Sequence, residues 1–513
     1  MSHLIQVSFE NFRVFNSKTV FDLAPITFLT GPNSSGKSSV LKALLLLKSN
    51  YSSDLQVLDF SGPKHNLGTF ENALNTESKE QKSTLKIGLQ VKIGGSEHAS
   101  LSKGTFYKQS ITTRRSSYSV LKELNDTTKT LITIELTYEK NDRSGRLKVI
   151  EMFVKEDEQP FMKLEIGSPD PGDVHRLFID SEKVQKDKTL KLLFHDPVRF
   201  FTAKSEYIKK SKSKTYTHST VFAPKENAKE LYIDEPIVVF TKIFEKYILD
   251  NFDLKEKREL HPFFLSSPIR NVLNDFSEIV ENIEYLEAVR ANTKRLYTND
   301  SQGTSFNELI LEYRSRDISE ESLSFTNRWL RKLEIADELK FENIEGVATT
   351  IFLMRGGERI ALADLGYGIT QFLPILLKVA LEEPISKEER ADLVVVKKLI
   401  LLEEPETNLH PKLQSMIADF LIDAIRTFEV RFIIETHSEY IIRKMQVLTA
   451  ERKIKTSDTL IYYFNDKPAI NQPKSIKIEI KPNGSLTNEF GEGFFDEATN
   501  LKLELLKSKA TKQ

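Results

Sequence analysis

Residues 31–38 read Gly-Pro-Asn-Ser-Ser-Gly-Lys-Ser, and this octet constrains the fold more than any other stretch of the chain. It fits the pattern G-x-x-x-x-G-K-[ST], in which backbone N–H groups curl round phosphate oxygens. The flanks suit that chemistry: the apolar run ITFLT leads in as a strand, and SSVLKALLLLK leads out as a helix. Gly31 and Gly36 give the backbone its freedom to curl. The helix beginning at Lys37 adds the positive end of its dipole. Lys37 is spaced to reach β- and γ-phosphates, and Ser38 to ligate Mg2+. Asn33, Ser34, Ser35 and Ser39 complete the set of loop residues expected to line the phosphates.

Far downstream, residues 399–411 read LILLEEPETNLHP, four apolar residues ending in two carboxylates. Unpaired carboxylates are costly to bury. Glu403 and Glu404 are therefore expected at the C-terminal tip of a strand, the edge where α/β sheets bind ligands. Glu403 suits holding Mg2+ through water. Glu404 suits polarising an attacking water, because phosphoryl transfer depends on placement and charge stabilisation. Alone, the run also reads as a strand entering an acidic turn; the phosphate loop favours the functional reading.

Residues 432–438, FIIETHS, form another apolar strand with a polar end. A lone histidine there is an ordinary hydrogen-bonding residue, whereas a third strand tip in the same sheet puts His437 beside a γ-phosphate as a sensor. Residues 364–371, DLGYGITQ, place two glycines ahead of the helical run FLPILLKVA. By themselves these read equally as a loop with a helix start or as a phosphate-facing turn. The order of glycine-helix segment, acidic strand and histidine strand favours the second.

A length of 513 residues suggests roughly three structural units at ~150 residues each. Hydrophobic residues at 39% and charged residues at 29% fit a soluble globular chain. Lys plus Arg (73) balance Asp plus Glu (74), which argues against a surface that coats nucleic acid by bulk attraction but leaves a local basic patch open. With no cysteine, disulfides, thiolate zinc sites and cysteine nucleophiles are excluded. MSHLIQVSFENFRVF lacks the charged start and apolar core of a signal peptide. No apolar run approaches the ~20 residues that span a bilayer, so the expectation is a cytoplasmic protein without membrane partners.

Five stretches follow from the patterning. Residues 1–50 carry strands and the phosphate loop. Residues 51–165 form an antiparallel β subdomain on LKIGLQVKIG, TLITIELTYEK, RLKVIEMFVKE and PFMKLEIG. Residues 166–345 are a mainly helical insertion, with helical spacing over 237–252 and 269–286 but no sustained heptads. Residues 346–465 return to α/β alternation. The tail, 466–513, holds the strand candidate SIKIEIKPNGSL and the turn FGEGFFDE, whose FFDE is expected to dock on its own domain.

In order along the chain, FENFRVF, GPNSSGKSS, LGYGITQ, LLLEEPETNLHP and IIETHS resemble the ABC ATPase superfamily, in the branch with RecF, the SMC heads and the overcoming-lysogenization-defect (OLD) proteins. The similarity spans about 1–75 and 346–465. IEYLEAVRANTKRLY (283–297), FTNRWLRKL (325–333) and the GFFDE segment look like the small prokaryotic ATPases with EEPE-x-x-LHP and a C-terminal GFFDE, and the chain as a whole resembles the PtuA-like anti-phage defence ATPases. The resemblance implies an α/β fold: an ABC ATPase head with a split nucleotide-binding domain, an antiparallel β subdomain and a mainly helical insertion. It implies ATP and Mg2+ as cofactors, and two heads that sandwich two ATP molecules. Each ATP then meets Lys37, Ser38, Glu403, Glu404 and His437 of one head and Gly366, Gly368 and Thr370 of the other. Asn408 and Leu409 lie in the loop crossing the dimer interface, and Arg13 lies near the nucleotide. The chain departs from the family in lacking Ser-Gly-Gly in the signature. No glutamine loop is secure: LGTFENAL (67–74) occupies its region, and Gln56 is the nearest candidate.

The implied activity is hydrolysis of ATP to ADP and phosphate by a homodimer or higher homo-oligomer, as the sensor of a defence system with a separate effector nuclease. The alternative is a DNA repair or chromosome-maintenance ATPase of RecF/SMC type, although a long coiled-coil arm is missing from the patterning. An OLD-type nuclease in the same chain would need an acidic domain after the histidine strand, and no paired D-x-D follows there; SPDPGD (168–173) reads as a turn. KSEYIKKSKSK (204–214) fits a solvated loop better than a nucleic-acid contact. Arg290 and Arg295 suit a protein interface or a phosphate equally.

Overall fold

The computed structural model describes residues 2–51, 55, 57–62, 64–77, 83–93, 131–155, 157–166, 175–187, 190, 218–222, 268–288, 297–298, 305–316, 318–344, 348–382, 396–465, 473–491 and 494–510. Gln56, SPDPGD, the basic run 204–214, the helical stretch 237–252, Arg290 and Arg295 lie outside them. The chain divides into two compact units: residues 1–22, 39–283 and 386–397 form one, and residues 23–38, 284–385 and 398–513 the other.

The first unit is built on a nine-stranded antiparallel sheet. Its longest strands, Thr84–Lys92, Leu131–Asn141 and Ser144–Val154, alternate enough apolar residues to bury one face continuously. His3–Glu10 joins Thr84–Lys92, and Phe9, Phe12, Phe15 and Phe21 form a buried aromatic cluster beneath it. Strands His175–Ile179 and His218–Phe222 extend the far edge. The interval expected to be mainly helical thus also contributes to this sheet.

The second unit carries a six-stranded sheet in the order Ile283–Leu286, Leu399–Glu403, Arg431–Glu435, Ile26–Thr30, Thr459–Phe464, Ser475–Ile478. The middle four run parallel. Parallel strands are covered on both faces, so their sequences are apolar runs instead of alternations. LILL, RFIIE, ITFLT and TLIYYF are accordingly buried throughout. A smaller antiparallel sheet contains Glu338–Ile344, Ala348–Arg355 and Glu358–Ala361.

Helices close the second unit by local signals. His410 caps Pro411–Thr427, with proline at the first helical position, and Ser438 caps Glu439–Ala450. The single tryptophan, Trp329, anchors helix Glu320–Lys332. Its indole N–H donates to Asp423 Oδ2 at 2.8 Å, and its ring meets Phe420 edge-on at 5.3 Å. FTNRWLRKL therefore acts in this core. The tail's Phe490, Phe494 and Phe495 cluster with Tyr463, and the Arg443 guanidinium lies 4.6 Å from the Phe495 ring. FFDE does dock on the unit that bears it.

The spacing over 269–286 predicted one helix, but the helix ends at Glu281 and Ile283–Leu286 is a strand. Among the described residues, no helix is long and apolar enough to cross a membrane.

Candidate functional site

The parallel sheet of the second unit brings three strand ends together. Ile26–Thr30 runs into the phosphate loop, Leu399–Glu403 ends at the acidic pair, and Arg431–Glu435 leads to His437. Arg431–Glu435 lies between the other two, so residues near 37 and 404 become neighbours through one intervening strand.

In the loop, Gly31 adopts φ +134° and Gly36 φ +109°. A Cβ on Gly31 would come within 2.4 Å of the Phe464 carbonyl oxygen, so glycine is required there for space as well as for φ. The Lys37 ammonium folds back on its own loop, donating to the Gly31 carbonyl at 3.1 Å and the Pro32 carbonyl at 2.8 Å. It is 3% exposed. Burial lowers its pKa, while the nearby Glu435 and Glu404 carboxylates oppose that shift. Asn33 and Ser34 are exposed, whereas the Ser35 hydroxyl is buried without a partner. Ser39 and Arg13 belong to the first unit, where the Arg13 backbone bonds to Ala73 and Asn75.

Glu404 stands where chain direction and side chain are both fixed. Its φ is +41°, an uncommon conformation for a residue with a side chain. Its N–H donates to the Glu435 carbonyl at 2.8 Å, and its Oε2 accepts from the Thr407 hydroxyl at 3.0 Å. Glu403 pairs in register with Glu435 across the parallel strands. It accepts a hydrogen bond from the Tyr285 hydroxyl, and burial with this carboxylate raises the tyrosine's pKa. The exposed His437 takes its backbone position from Glu406, whose Oε1 accepts the His437 N–H at 2.7 Å. Desolvation and the Lys37 charge lower the His437 pKa, favouring the neutral imidazole.

Sequence reasoning passed over Glu435, Glu406, Thr407 and Tyr285. All four lie inside motifs already quoted, and for Glu435 a polar residue at an apolar strand's last position was the available signal. Glu435 is 7% exposed and accepts from the Ser38 hydroxyl at 2.9 Å; burial raises its pKa. The oxygen donors Ser38, Glu403 and Glu435 fit a hard cation such as Mg2+. Among the described residues no three His, Cys, Asp or Glu side chains group closely enough to hold a metal alone.

The two signature glycines are not equivalent. Gly366 is the exposed N-cap of helix Tyr367–Ala380, and a Cβ there meets nothing within 4 Å. A Cβ on Gly368 would come 2.3 Å from the Asn408 carbonyl oxygen of the same chain. Asn408, with φ +62°, belongs to the turn that follows Glu404. Gly368→Ala should therefore destabilise this unit by about 1–3 kcal/mol, the usual range for overpacking. Gly366→Ser, which adds a capping hydroxyl in open space, should change stability by less than about 0.5 kcal/mol. Phe372 of this helix packs on Phe420, which packs on Trp329, so melting followed by tryptophan fluorescence reads the difference. Equal melting temperatures for the two variants would contradict the close packing.

A glycine loop, an acidic strand tip and a histidine strand on one parallel sheet define a P-loop nucleotide-binding fold. Residues 3–442 match the family model described as AAA ATPase domain, and the chain belongs to that family. Residues 454–505 match a second model, described as a protein of unknown function (DUF3696). No curated protein matches the chain. Among solved structures it is similar to an SMC head domain from Thermotoga maritima, at 10% identity, covering 93% of this chain and 99% of that one, with TM-score 0.35. It is also similar to an Smc head domain with an extended coiled coil bound to the C-terminal domain of ScpA, derived from Pyrococcus furiosus (11%, 98% and 100%, 0.34). A third is an Smc head bound to the C-winged helix domain of ScpA (11%, 93% and 98%, 0.37).

Proposed function

We propose that this chain binds ATP with Mg2+ and hydrolyses it to ADP and phosphate. The observation that supports this most is the meeting of Lys37, Ser38, Glu404 and Glu435 on adjacent strand ends of one sheet. Lys37 exchanges its two loop carbonyls for β- and γ-phosphate oxygens. Backbone N–H groups of residues 33–38 and the helix N-terminus take the remaining phosphate charge. Glu403 and Ser38 hold Mg2+, which when bound neutralises charge on the phosphate oxygens. Glu404 orients and polarises the attacking water, and neutral His437 contacts the γ-phosphate. The exposed Gly366 and Asn408 face a second copy of the chain, which completes the site, and the open surroundings of Gly366 suit that contact. Thr370, expected to join them, is 2% exposed, and Gly368 packs on the Asn408 carbonyl, so these two support that surface from within the chain.

Phosphate release by the purified full chain, with Mg-ATP and with EDTA, tests the activity. Metal-dependent release is expected, and its absence together with absent nucleotide binding would overturn the reading. We extend the proposal, on the sequence resemblance, to a sensor ATPase of an anti-phage defence system acting with a separate nuclease. Loss of phage protection in a Lys37→Ala strain is expected there. Full protection by that variant would favour the repair or chromosome-maintenance alternative.

A further inference from the structure

Glu435 is a buried carboxylate with one oxygen partnered and the other not. It sits at the last position of a strand buried on both faces. Its Oε1 accepts from Ser38, but its Oε2 is buried and has no hydrogen-bond partner. The nearest cation, the Lys37 ammonium, is 3.9 Å from Oε1, too long for a hydrogen bond, and its protons go to Gly31 and Pro32. A buried carboxylate oxygen in this position lacks the compensation that buried charge needs. Across the sheet its register partner is Glu403, on a strand about 4.8 Å away. Two carboxylates and the Ser38 hydroxyl therefore converge where the phosphate loop ends.

We infer that Glu435 is a direct ligand of the divalent cation, joining Ser38 and Glu403, and that it makes cation binding depend on nucleotide. The inference rests on the ATP-binding reading above. Mg2+ prefers octahedral oxygen coordination, with one or two carboxylates, waters and substrate phosphates. Two carboxylates and one hydroxyl meet the protein's share of that set, and phosphate oxygens and water supply the remainder. Glu435 thereby gains a cation for its unpartnered oxygen, and Lys37 is freed from neutralising it when it turns to phosphate.

The test uses the full chain, a fluorescent N-methylanthraniloyl ATP and Mn2+ as the probe metal. The readout is the ratio of nucleotide affinity with Mn2+ to affinity in EDTA. This ratio measures metal–nucleotide coupling and is independent of turnover. Glu435→Gln keeps an oxygen to accept from Ser38 and removes the charge. Loss of a negative charge beside the phosphates should leave metal-free nucleotide binding equal to wild type or tighter, while the affinity with Mn2+ itself falls and the ratio drops at least tenfold, within the ~10–100-fold loss typical when a metal site's supporting groups are removed. A ratio lowered only by tighter binding in EDTA counts against the assignment. An unchanged ratio would overturn the assignment and leave Glu435 as the counter-charge of Lys37. If the Gln variant fails to fold, Glu435→Asp, which keeps the charge but retracts it by one methylene, is held to the same tenfold criterion. Wild type that binds no nucleotide would overturn the ATP-binding reading itself, whereas wild type that binds with an unaltered variant ratio rejects Glu435 alone.

Discussion

Glu404→Gln is expected to bind ATP at least as tightly as wild type and to release phosphate about 10²–10⁴-fold more slowly, the range a positioned general base contributes. In barrier terms that is roughly 3–5 kcal/mol. The substitution isolates charge from geometry. The backbone stays at φ +41° because the 2.8 Å bond from the residue 404 N–H to the Glu435 carbonyl does not involve the side chain. A glutamine oxygen can still accept from Thr407, as the Glu404 carboxylate does at 3.0 Å. On the proposed reading, what disappears is a negative charge facing the γ-phosphate and the base that orients water. The first loss favours ATP binding, and the second blocks its consumption. The ATP-bound form should therefore accumulate, and with two heads sharing nucleotide it should elute as a dimer in size-exclusion chromatography with ATP. Single-turnover phosphate release within threefold of wild type would remove Glu404 from this role.

The strained backbone at Glu404 bears on the same question. Left-handed conformations in residues with side chains cost of order 1–3 kcal/mol and persist where the surroundings enforce them. Here the surroundings are the Glu435 carbonyl, the Thr407 hydroxyl and the turn through Asn408, whose carbonyl presses on Gly368. The acidic strand end and the first turn of helix Tyr367–Ala380 are thus packed as one block. A second copy contacting that helix start would bear on the position of Glu404 through backbone alone.

Much of this arrangement was legible in the residues. The four central parallel strands read as apolar runs because burial on both faces confines their charged residues to the strand ends, as with Arg431, Glu435 and Glu403. Gly31 announced itself by pattern, and the structure adds the reason: the Phe464 backbone leaves no room for a Cβ. The misreadings also have physical causes. Val280, Ile283 and Leu286 continue the helical period of residues 276–280, yet Ile283–Leu286 is a strand, since sheet pairing beside Leu399–Glu403 outweighs local propensity. This hid Tyr285 and its bond to Glu403. Glu435 was overlooked because a carboxylate before Thr-His-Ser reads as the ordinary polar end of a strand; only the register with Glu403 reveals its company. The strands His175–Ile179 and His218–Phe222 are short and flanked by polar sequence, so periodicity gave them no weight.

Lys37→Ala is expected to weaken ATP binding by at least about a hundredfold, which is effectively no binding at micromolar nucleotide. Hydrogen bonds to charged groups contribute about 1.5–3 kcal/mol each, and on the proposed reading the ammonium contacts two phosphates, so its loss removes roughly 3–6 kcal/mol before repulsion is counted. Repulsion adds to this. Glu403, Glu404 and Glu435 lie close enough to perturb one another or the lysine, and without Lys37 a triphosphate meets that acidic set with one positive charge fewer. One response works the other way. Lys37 helps hold the buried Glu435 ionised, so removing it raises the Glu435 pKa further and favours a neutral, less repulsive acid. Binding of metal-free ATP by the variant should therefore recover slightly as pH falls, through Glu435 protonation, while remaining far below wild type. The measurement is isothermal titration with Mg-ATP at neutral pH and with ATP in EDTA at two pH values, with Trp329 fluorescence confirming the folded unit. Affinity within fivefold of wild type in a folded variant would show that the loop does not carry the phosphate contact assigned to it.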